Sequence, residues 1–173
     1  MKKQDTSENL VKLVYLAIGS NLGNKIYNIQ TAKLELEKYE VKILKSSSVY
    51  STDSWPDPTK PGYFNIVIKI KTYLDPVELL KICNIIEIKL GRFRTEKNAP
   101  RTCDIDIIDY NKNLLNEKDK RLILPHPRMS KRNFVLLPLF EIEKNWFHPI
   151  KKVYIKTLIF SLSNDNIRSI KQI

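Results

Sequence analysis

The hydrophobic pattern of the chain changes between a period of 3.6, typical of helices, and a period of two, typical of strands. The predicted helices are residues 25–38, capped by Asn24; residues 75–91, which begin with Asp75, Pro76 and the capping-box residue Glu78 and end at Gly91; and residues 133–141, with the first turns interrupted by Pro138. The predicted strands are residues 13–18, 41–46, 48–51, 63–72, 103–110 and 122–124. Strands and helices alternate irregularly, with possible hairpins, which favours an α+β fold over a doubly wound one.

Two of the predicted strands carry polar side chains on the face that points away from their apolar residues. Tyr63 and Asn65 point together from one strand, and Asp104 and Asp106 point together from another. The two carboxylates lie on the face of the strand that points away from Ile105. This acidic face requires a positively charged partner.

The second predicted helix carries a carboxylate on its apolar stripe. Glu87 lies one turn after Cys83, on the face that also presents Leu80 and Leu90. A carboxylate in that position requires a partner. A residue of a functional cleft held by an arginine and a carboxylate at the edge of the helix both fit this spacing.

Length and composition indicate one globular domain. The 173 residues contain 42% hydrophobic and 28% charged residues, which excludes a disordered chain. No apolar stretch approaches the roughly 20 residues of a membrane span, and the first residues lack the apolar core of a secretory signal. We therefore expect a flexible polar tail at residues 1–11, a single domain at residues 12–173, a cytoplasmic location and no membrane association.

The net charge of +11 raises the question of nucleic-acid binding, because phosphate neutralisation dominates such binding. The lysines are dispersed, and no basic run reaches five residues. A lysine-rich surface and the attraction of a small polyanion, such as a nucleoside triphosphate, are the alternatives. The only cysteines, Cys83 and Cys103, and the only histidines, His126 and His148, lack the spacing of a transition-metal site.

The pair Asp104 and Asp106 is the strongest candidate for chemistry. Carboxylates at positions i and i+2 of a strand lie about 7 Å apart at Cα, close enough to share hard cations with phosphate oxygens, and Mg²⁺ is the natural choice. Arg92, Arg94 and Arg101 precede the pair, and arginines combined with metal-binding carboxylates suit a polyphosphate substrate. An exposed polar strand face and a surface salt-bridge network remain the alternatives.

The glycine-containing segment at residues 18–23 joins the first strand to the first helix. It lacks the Gly-Lys-Ser/Thr ending of a phosphate-binding P-loop. We therefore interpret it as a tight turn that leads to the helix cap.

Several motifs follow one another along the chain: residues 17–23 (AIGSNLG), 63–65 (YFN), Glu87, 91–94 (GRFR), 100–106 (PRTCDID) and 124–129 (LPHPRM). Their order and spacing resemble the 6-hydroxymethyl-7,8-dihydropterin pyrophosphokinase family of folate biosynthesis over roughly residues 13–149. The resemblance implies a ferredoxin-like fold, with a mainly antiparallel sheet and helices packed on its faces. It also implies transfer of diphosphate from the co-substrate ATP to the pterin hydroxymethyl group, two Mg²⁺ ions, small-molecule substrates alone and a monomer.

The resemblance also implies a role for individual residues. It makes Asp104 and Asp106 catalytic ligands of both metal ions; Arg92 and Arg101 catalytic arginines; Arg94, His126 and Arg132 ATP contacts; and Thr52, Trp55, Tyr63, Asn65 and Phe134 pterin contacts, with Tyr63 and Phe134 as the aromatic pair around the ring.

The sequence departs from the family pattern in two places. Residues 95–99 lack the tryptophan and the additional arginine that many members carry in this loop, and Pro127 follows the histidine where an aromatic residue is common. Trp55, in a proline-rich loop, could act as a replacement lid or pack on the surface.

Two other classes are compatible with parts of the pattern. An RNA-binding module would use exposed aromatics and basic residues on a similar sheet, but the aromatic RNP motif is absent and the acidic pair would repel a phosphate backbone. A nucleotidyltransferase would also use paired aspartates, but it would release pyrophosphate instead of AMP.

Overall fold

A helix follows the first strand and another follows the fourth in the computed structural model, which describes residues 10–54, 57–92, 99–117 and 122–173. The described strands are β1 (Lys12–Ser20), β2 (Lys42–Ser46), β3 (Tyr50–Thr52), β4 (Tyr63–Thr72), β5 (Asp104–Tyr110), β6 (Leu115–Glu117), β7 (Leu122–Leu124) and β8 (Ile170–Gln172). The described helices are α1 (Lys25–Glu37), α2 (Pro76–Lys89), α3 (Asn133–Ile142), α4 (Ile155–Phe160) and α5 (Asn164–Arg168), with a 3-10 turn at Met129–Lys131.

The main sheet has the order β5-β1-β4-β3-β8, and β2 pairs with the second half of β4 beside β3. All of these pairings are antiparallel. Helix α1 connects β1 to the β2–β3 edge, and α2 connects β4 back to β5 on the other side of β1. This is the ferredoxin-like arrangement, so the predicted α+β fold with a mainly antiparallel sheet is confirmed.

Helices cover both faces of the sheet. On β1, Val14, Leu16 and Ile18 point into a core that α1 and α2 close, while Tyr15 points into a second core that α3 and α4 close. Since successive strand residues face opposite sides, the same alternation separates the two cores on β4. The site residues of β4 and β5 lie on the α3 side.

The predicted helix starts are confirmed. The Asn24 side chain accepts a hydrogen bond from the Tyr27 amide (3.0 Å). Asp75 and Glu78 form the capping box, in which the Asp75 side chain accepts from the Glu78 amide (2.8 Å) and the Glu78 side chain accepts from the Asp75 amide (3.0 Å). Beyond α2, Gly91 adopts a φ of 82°, a conformation that glycine takes without steric cost.

The predicted interruption of the third helix at Pro138 is wrong, because α3 continues through it. Pro138 has no N–H for the carbonyl of Phe134, so one intrahelical bond is lost. Buried Val135, Leu136 and Leu139 hold the helix on the sheet, and this packing compensates for that loss.

The sequence pattern after residue 150 gave no prediction, but the structure places α4, α5 and β8 there. Strand β8 extends the main sheet by pairing with β3. None of the helices in the described ranges has the length and hydrophobicity that a membrane span requires. The prediction of a tail at residues 1–11 stays a prediction, since residues 1–9 lie outside the described ranges.

Candidate active site

Asp104 and Asp106 project from one face of β5 beside the two smallest residues of β1. In the strand register Asp104 is opposite Gly19 and Asp106 is opposite Ala17. On the far side of β1, Gly19 is opposite Asn65 of β4. A Cβ atom on Gly19 would lie 3.0 Å from Asn65 Oδ1 and 3.7 Å from Tyr63 Cδ1, so the missing side chain lets both of these groups lie close to β1.

Two arginines contact Asp104. Arg92 Nη1 lies 2.7 Å from Asp104 Oδ1, and Arg101 Nη1 lies 3.0 Å from Asp104 Oδ2. Burial and the neighbouring charge of Asp106 raise the pKa of Asp104, while both arginines act in the opposite direction. The acidic face therefore has the positive partners that the sequence pattern required.

Asp106 has its own basic partners. Arg132 Nη1 lies 2.8 Å from Asp106 Oδ2, and His126 Nε2 lies 3.7 Å from the same oxygen. The His126 Nδ1 atom accepts a hydrogen bond from the Arg128 amide (3.1 Å), so the neutral ring carries its hydrogen on Nε2. Burial lowers the pKa of His126, which favours that neutral form.

Glu87 is buried at the C-terminal end of α2 and faces the site. Its Oε1 atom accepts a hydrogen bond from the Ile105 amide (2.7 Å) and contacts Arg92 Nη1. Burial raises the pKa of Glu87 to about 7, although the Ile105 amide and Arg92 favour the carboxylate. At 3% exposure, Glu87 is a held cleft residue and not a carboxylate at the helix edge.

Asn21 is a positioning residue that the sequence analysis missed. Its Oδ1 atom accepts a hydrogen bond from the Arg101 backbone amide (2.7 Å), and its backbone amide donates to the Arg101 carbonyl (3.1 Å). Its side-chain Nδ2 atom donates to the Pro61 carbonyl (3.1 Å). Asn21 therefore joins the arginine segment to the loop that leads into Tyr63. Its partners are 80 and 40 residues away in sequence, so no local pattern could identify them.

The described residues with predicted pterin contacts lie on β3, β4 and α3. Asn65 Nδ2 donates to Thr52 Oγ1 (3.2 Å), and both side chains are buried. Tyr63 lies two residues earlier on β4, on the same face as Asn65. Phe134 lies in the first turn of α3, with the Arg132 guanidinium carbon 5.4 Å from its ring centroid.

Two predicted site residues, Arg94 and Trp55, lie outside the described residues, as do residues 95–98 of the shortened loop. Within the described ranges, no group of three or more His, Cys, Asp and Glu side chains is arranged to hold a metal ion. Any metal at Asp104 and Asp106 would therefore need further ligands from substrate or water.

A family model described as 7,8-dihydro-6-hydroxymethylpterin-pyrophosphokinase matches residues 15–144. The 2-amino-4-hydroxy-6-hydroxymethyldihydropteridine pyrophosphokinase of Bacillus subtilis is 41% identical over 131 residues, which cover 75% of this chain and 77% of that protein. The folic acid synthesis protein fol1 of Pneumocystis carinii is 33% identical over 170 residues, which cover 98% of this chain but 22% of that protein.

Among solved structures, an HPPK-DHPS in complex with substrates superimposes with a TM-score of 0.74. The match covers 93% of this chain and 46% of that one, at 17% sequence identity, and so concerns the fold alone. The chain thus spans less than a quarter of the fungal relative and less than half of the solved chain.

Proposed function

The chain belongs to the 7,8-dihydro-6-hydroxymethylpterin-pyrophosphokinase family, and from this premise we propose that it transfers diphosphate from ATP to the hydroxymethyl group of 6-hydroxymethyl-7,8-dihydropterin, giving AMP and the pterin diphosphate. The reaction would serve folate synthesis, the process in the name of the Pneumocystis relative.

One observation supports this proposal above the others: the row Asn65–Gly19–Asp104 across three neighbouring strands. Adjacent strands are about 4.8 Å apart, so roughly 10 Å separates the Cα atoms of Asn65 and Asp104. Gly19 contributes no side chain between them. A pterin hydrogen-bonded at Asn65 could extend its hydroxymethyl group across Gly19 towards a phosphate held at Asp104.

The chemistry of the acidic pair fits Mg²⁺. Magnesium prefers oxygen ligands and usually binds through one or two carboxylates together with substrate phosphates and water. Asp104 and Asp106 offer such a set, without a third acidic or histidine ligand in the described ranges. When bound, Mg²⁺ would polarise the phosphate oxygens and neutralise their charge.

We propose two ions because Asp104 and Asp106 lie on one face of β5, where each can supply oxygen ligands. Arg92 and Arg101 contact Asp104, whereas Arg132 and His126 lie at Asp106. These two carboxylates, about 7 Å apart at Cα, would hold the ions, which would supply charge neutralisation at the phosphates.

The arginines would bind and orient the phosphates. Arg92 and Arg101 contact Asp104, where the transferred phosphate would be held. Guanidinium groups in such a position stabilise the charge that develops in phosphoryl transfer. Arg132 and the Nε2–H group of His126 would bind the nucleotide, and we keep the same assignment for Arg94. This mechanism relies on positioning and electrostatics and requires no covalent enzyme intermediate.

The pterin would lie between Tyr63 and Phe134, with its edge on Asn65. The bond from Asn65 Nδ2 to Thr52 leaves Asn65 Oδ1 without a described partner, and this oxygen lies beside Gly19. An amide oxygen there can accept a hydrogen bond from a pterin N–H. We also propose that the enzyme acts as a monomer.

The test is a product assay with ATP, Mg²⁺ and 6-hydroxymethyl-7,8-dihydropterin. The wild-type chain should form AMP, and Asp104→Asn and Asp106→Asn should each lower kcat by about a hundredfold or more, since metal binding contributes several kcal/mol to the transition state. Asp165→Asn, an exposed carboxylate on α5, is the matched control. Undiminished turnover in either site variant would contradict the metal assignment, and release of pyrophosphate would indicate a nucleotidyltransferase.

A further inference from the structure

The C-terminal segment 164–173 contacts two elements on either side of the proposed pterin site, β3 and α3. On one side β8 pairs with β3, placing Ile170 opposite Thr52, and the Ile173 amide donates to the Val49 carbonyl (2.9 Å). On the other side α5 and the residue after it contact Asn133, the first residue of α3. One stretch of chain therefore joins the strand that carries Thr52 to the helix turn that carries Phe134.

Asn133 uses every polar group of its side chain in this contact. Its Nδ2 atom donates to the Asn166 carbonyl (2.5 Å) and to Ser169 Oγ (3.1 Å), while its Oδ1 atom accepts from the Phe134 amide (2.7 Å). The Ser169 hydroxyl itself donates to the Asn166 carbonyl (2.9 Å), which leaves its oxygen free to accept from Asn133. A flipped Asn133 amide would place two oxygens against each other, so the network determines one orientation.

The side chain does more than cap a helix. The Phe134 amide is one of the N–H groups that have no partner inside α3, and Asn133 Oδ1 satisfies it. The other end of the same amide group is bound to a different part of the chain. Asn133 is only 5% exposed, so a side-chain donor left without a hydrogen bond would cost free energy. The three hydrogen bonds therefore stabilise one another.

The side of the pterin site that β3 forms depends on β8 in a similar way. Strand β3 has only three residues, and without β8 it would lie at the edge of the sheet. Its last residue, Thr52, accepts the hydrogen bond that orients Asn65. The phosphate side has independent support, since Arg132 is bonded to Asp106.

We propose that Asn133 is a positioning residue for the pterin: bonded to Asn166 and Ser169, it sets the place of Phe134 relative to Thr52 and Asn65. This inference rests on the proposed function, because it takes Phe134, Thr52 and Asn65 as pterin contacts. It extends the site to a residue that touches neither substrate.

The test compares steady-state kinetics of Asn133→Ala, Ser169→Ala and the double variant. Asn133→Ala should raise KM for the pterin about tenfold, with kcat and KM for ATP within about twofold, since the loss of one hydrogen-bonded tie is worth roughly a factor of ten. Ser169→Ala removes one acceptor and should raise the pterin KM about threefold. Because both act through one tie, the double variant should be no worse than Asn133→Ala.

Ser161→Ala is the control, because it removes a hydrogen bond to the Leu158 carbonyl (2.6 Å) in the same part of the chain, and neither residue belongs to α3 or β3. It should leave both KM values unchanged. If Asn133→Ala fails to fold, the exposed Ser169→Ala still decides the question.

Equal increases in KM for both substrates, or a lower Tm with an unchanged pterin KM, would reduce Asn133 to a structural role and overturn the inference. Turnover by the wild type with an unchanged pterin KM in the variants would overturn this inference alone. Failure of the wild type to form AMP would overturn the proposed function, and this inference with it.

Discussion

Replacing Glu87 with glutamine should change how the stability of the protein depends on pH. Burial raises the pKa of Glu87 from its ordinary value of 4.5 to about 7 in the folded protein. Between these two values the folded chain binds a proton that the unfolded chain has released. The contribution of Glu87 to stability is therefore complete below pH 4.5 and is lost as the pH rises through about 7.

The structure gives the size of this effect and the reason for choosing glutamine. One pKa unit corresponds to about 1.4 kcal/mol, so the difference between 4.5 and about 7 amounts to an order of 3 kcal/mol. A single oxygen of Glu87 contacts both the Ile105 amide and Arg92. The carbonyl oxygen of glutamine can accept from both groups, so Glu87→Gln should keep Arg92 in place while removing the titration.

The assay is urea denaturation of wild type and Glu87→Gln at a series of pH values from about 4 to 8. The free energy of unfolding of the wild type should fall relative to the variant by an order of 3 kcal/mol across this range. Burial lowers the pKa of His126 and His148, and their effect has the opposite sign below pH 6.5, so the difference between the two proteins is the informative quantity. Glu37→Gln on the exposed end of α1 controls for the change in net charge.

A parallel stability profile for wild type and Glu87→Gln would refute the reasoning. It would mean that Arg92 and the Ile105 amide compensate fully for burial, so that Glu87 has the same pKa in the folded and the unfolded chain. A variant that loses activity by more than about tenfold would refute the second part, the claim that one glutamine oxygen can hold Arg92.

Two further predictions follow from Gly19 and Asp75. Gly19→Ala should raise KM for the pterin by about tenfold while leaving KM for ATP nearly unchanged. The reason is that the new Cβ would lie 3.0 Å from Asn65 Oδ1, and the bond to Thr52 restrains that amide. Steady-state kinetics with both substrates check this, and equal increases in the two KM values would contradict it. Asp75→Ala should lower the free energy of unfolding by about 1 kcal/mol, because it removes the acceptor for two amides at the start of α2, whereas Asp75→Asn in the same denaturation experiment should lose less.

The sequence predicted those features that depend on neighbours in the chain. Asn24 and Asp75 cap helices whose amides lie two or three residues away, so their roles could be deduced locally. The alternation at Asn65 and Asp104 likewise gave the correct faces of β4 and β5, because the side-chain direction in a strand depends only on position. The predicted interruption of α3 at Pro138 was wrong, because tertiary packing outweighed the tendency of proline to break a helix.

The features that the sequence could not predict depend on contacts between distant segments. Asn21 lies in a turn that the local pattern identified correctly, but its partners, Arg101 and Pro61, are known only once the chain has folded. Strand β8 has three residues, Ile170–Gln172, without an alternating pattern, and it is a strand because β3 lies beside it. Glu87 required a partner on sequence grounds, and only the fold identifies that partner as Arg92.

The partner of Glu87 also explains why the fold retains a buried acid that weakens it at neutral pH. Arg92 Nη1 contacts both Glu87 on α2 and Asp104 on β5. A cation bound to Asp104 would compete for the oxygen that Arg92 holds, and Arg92 would then depend on Glu87 for its position. Without Glu87, the guanidinium would lose its other described carboxylate contact, so the stability lost by burying Glu87 fits the proposed role of Arg92 at the phosphates.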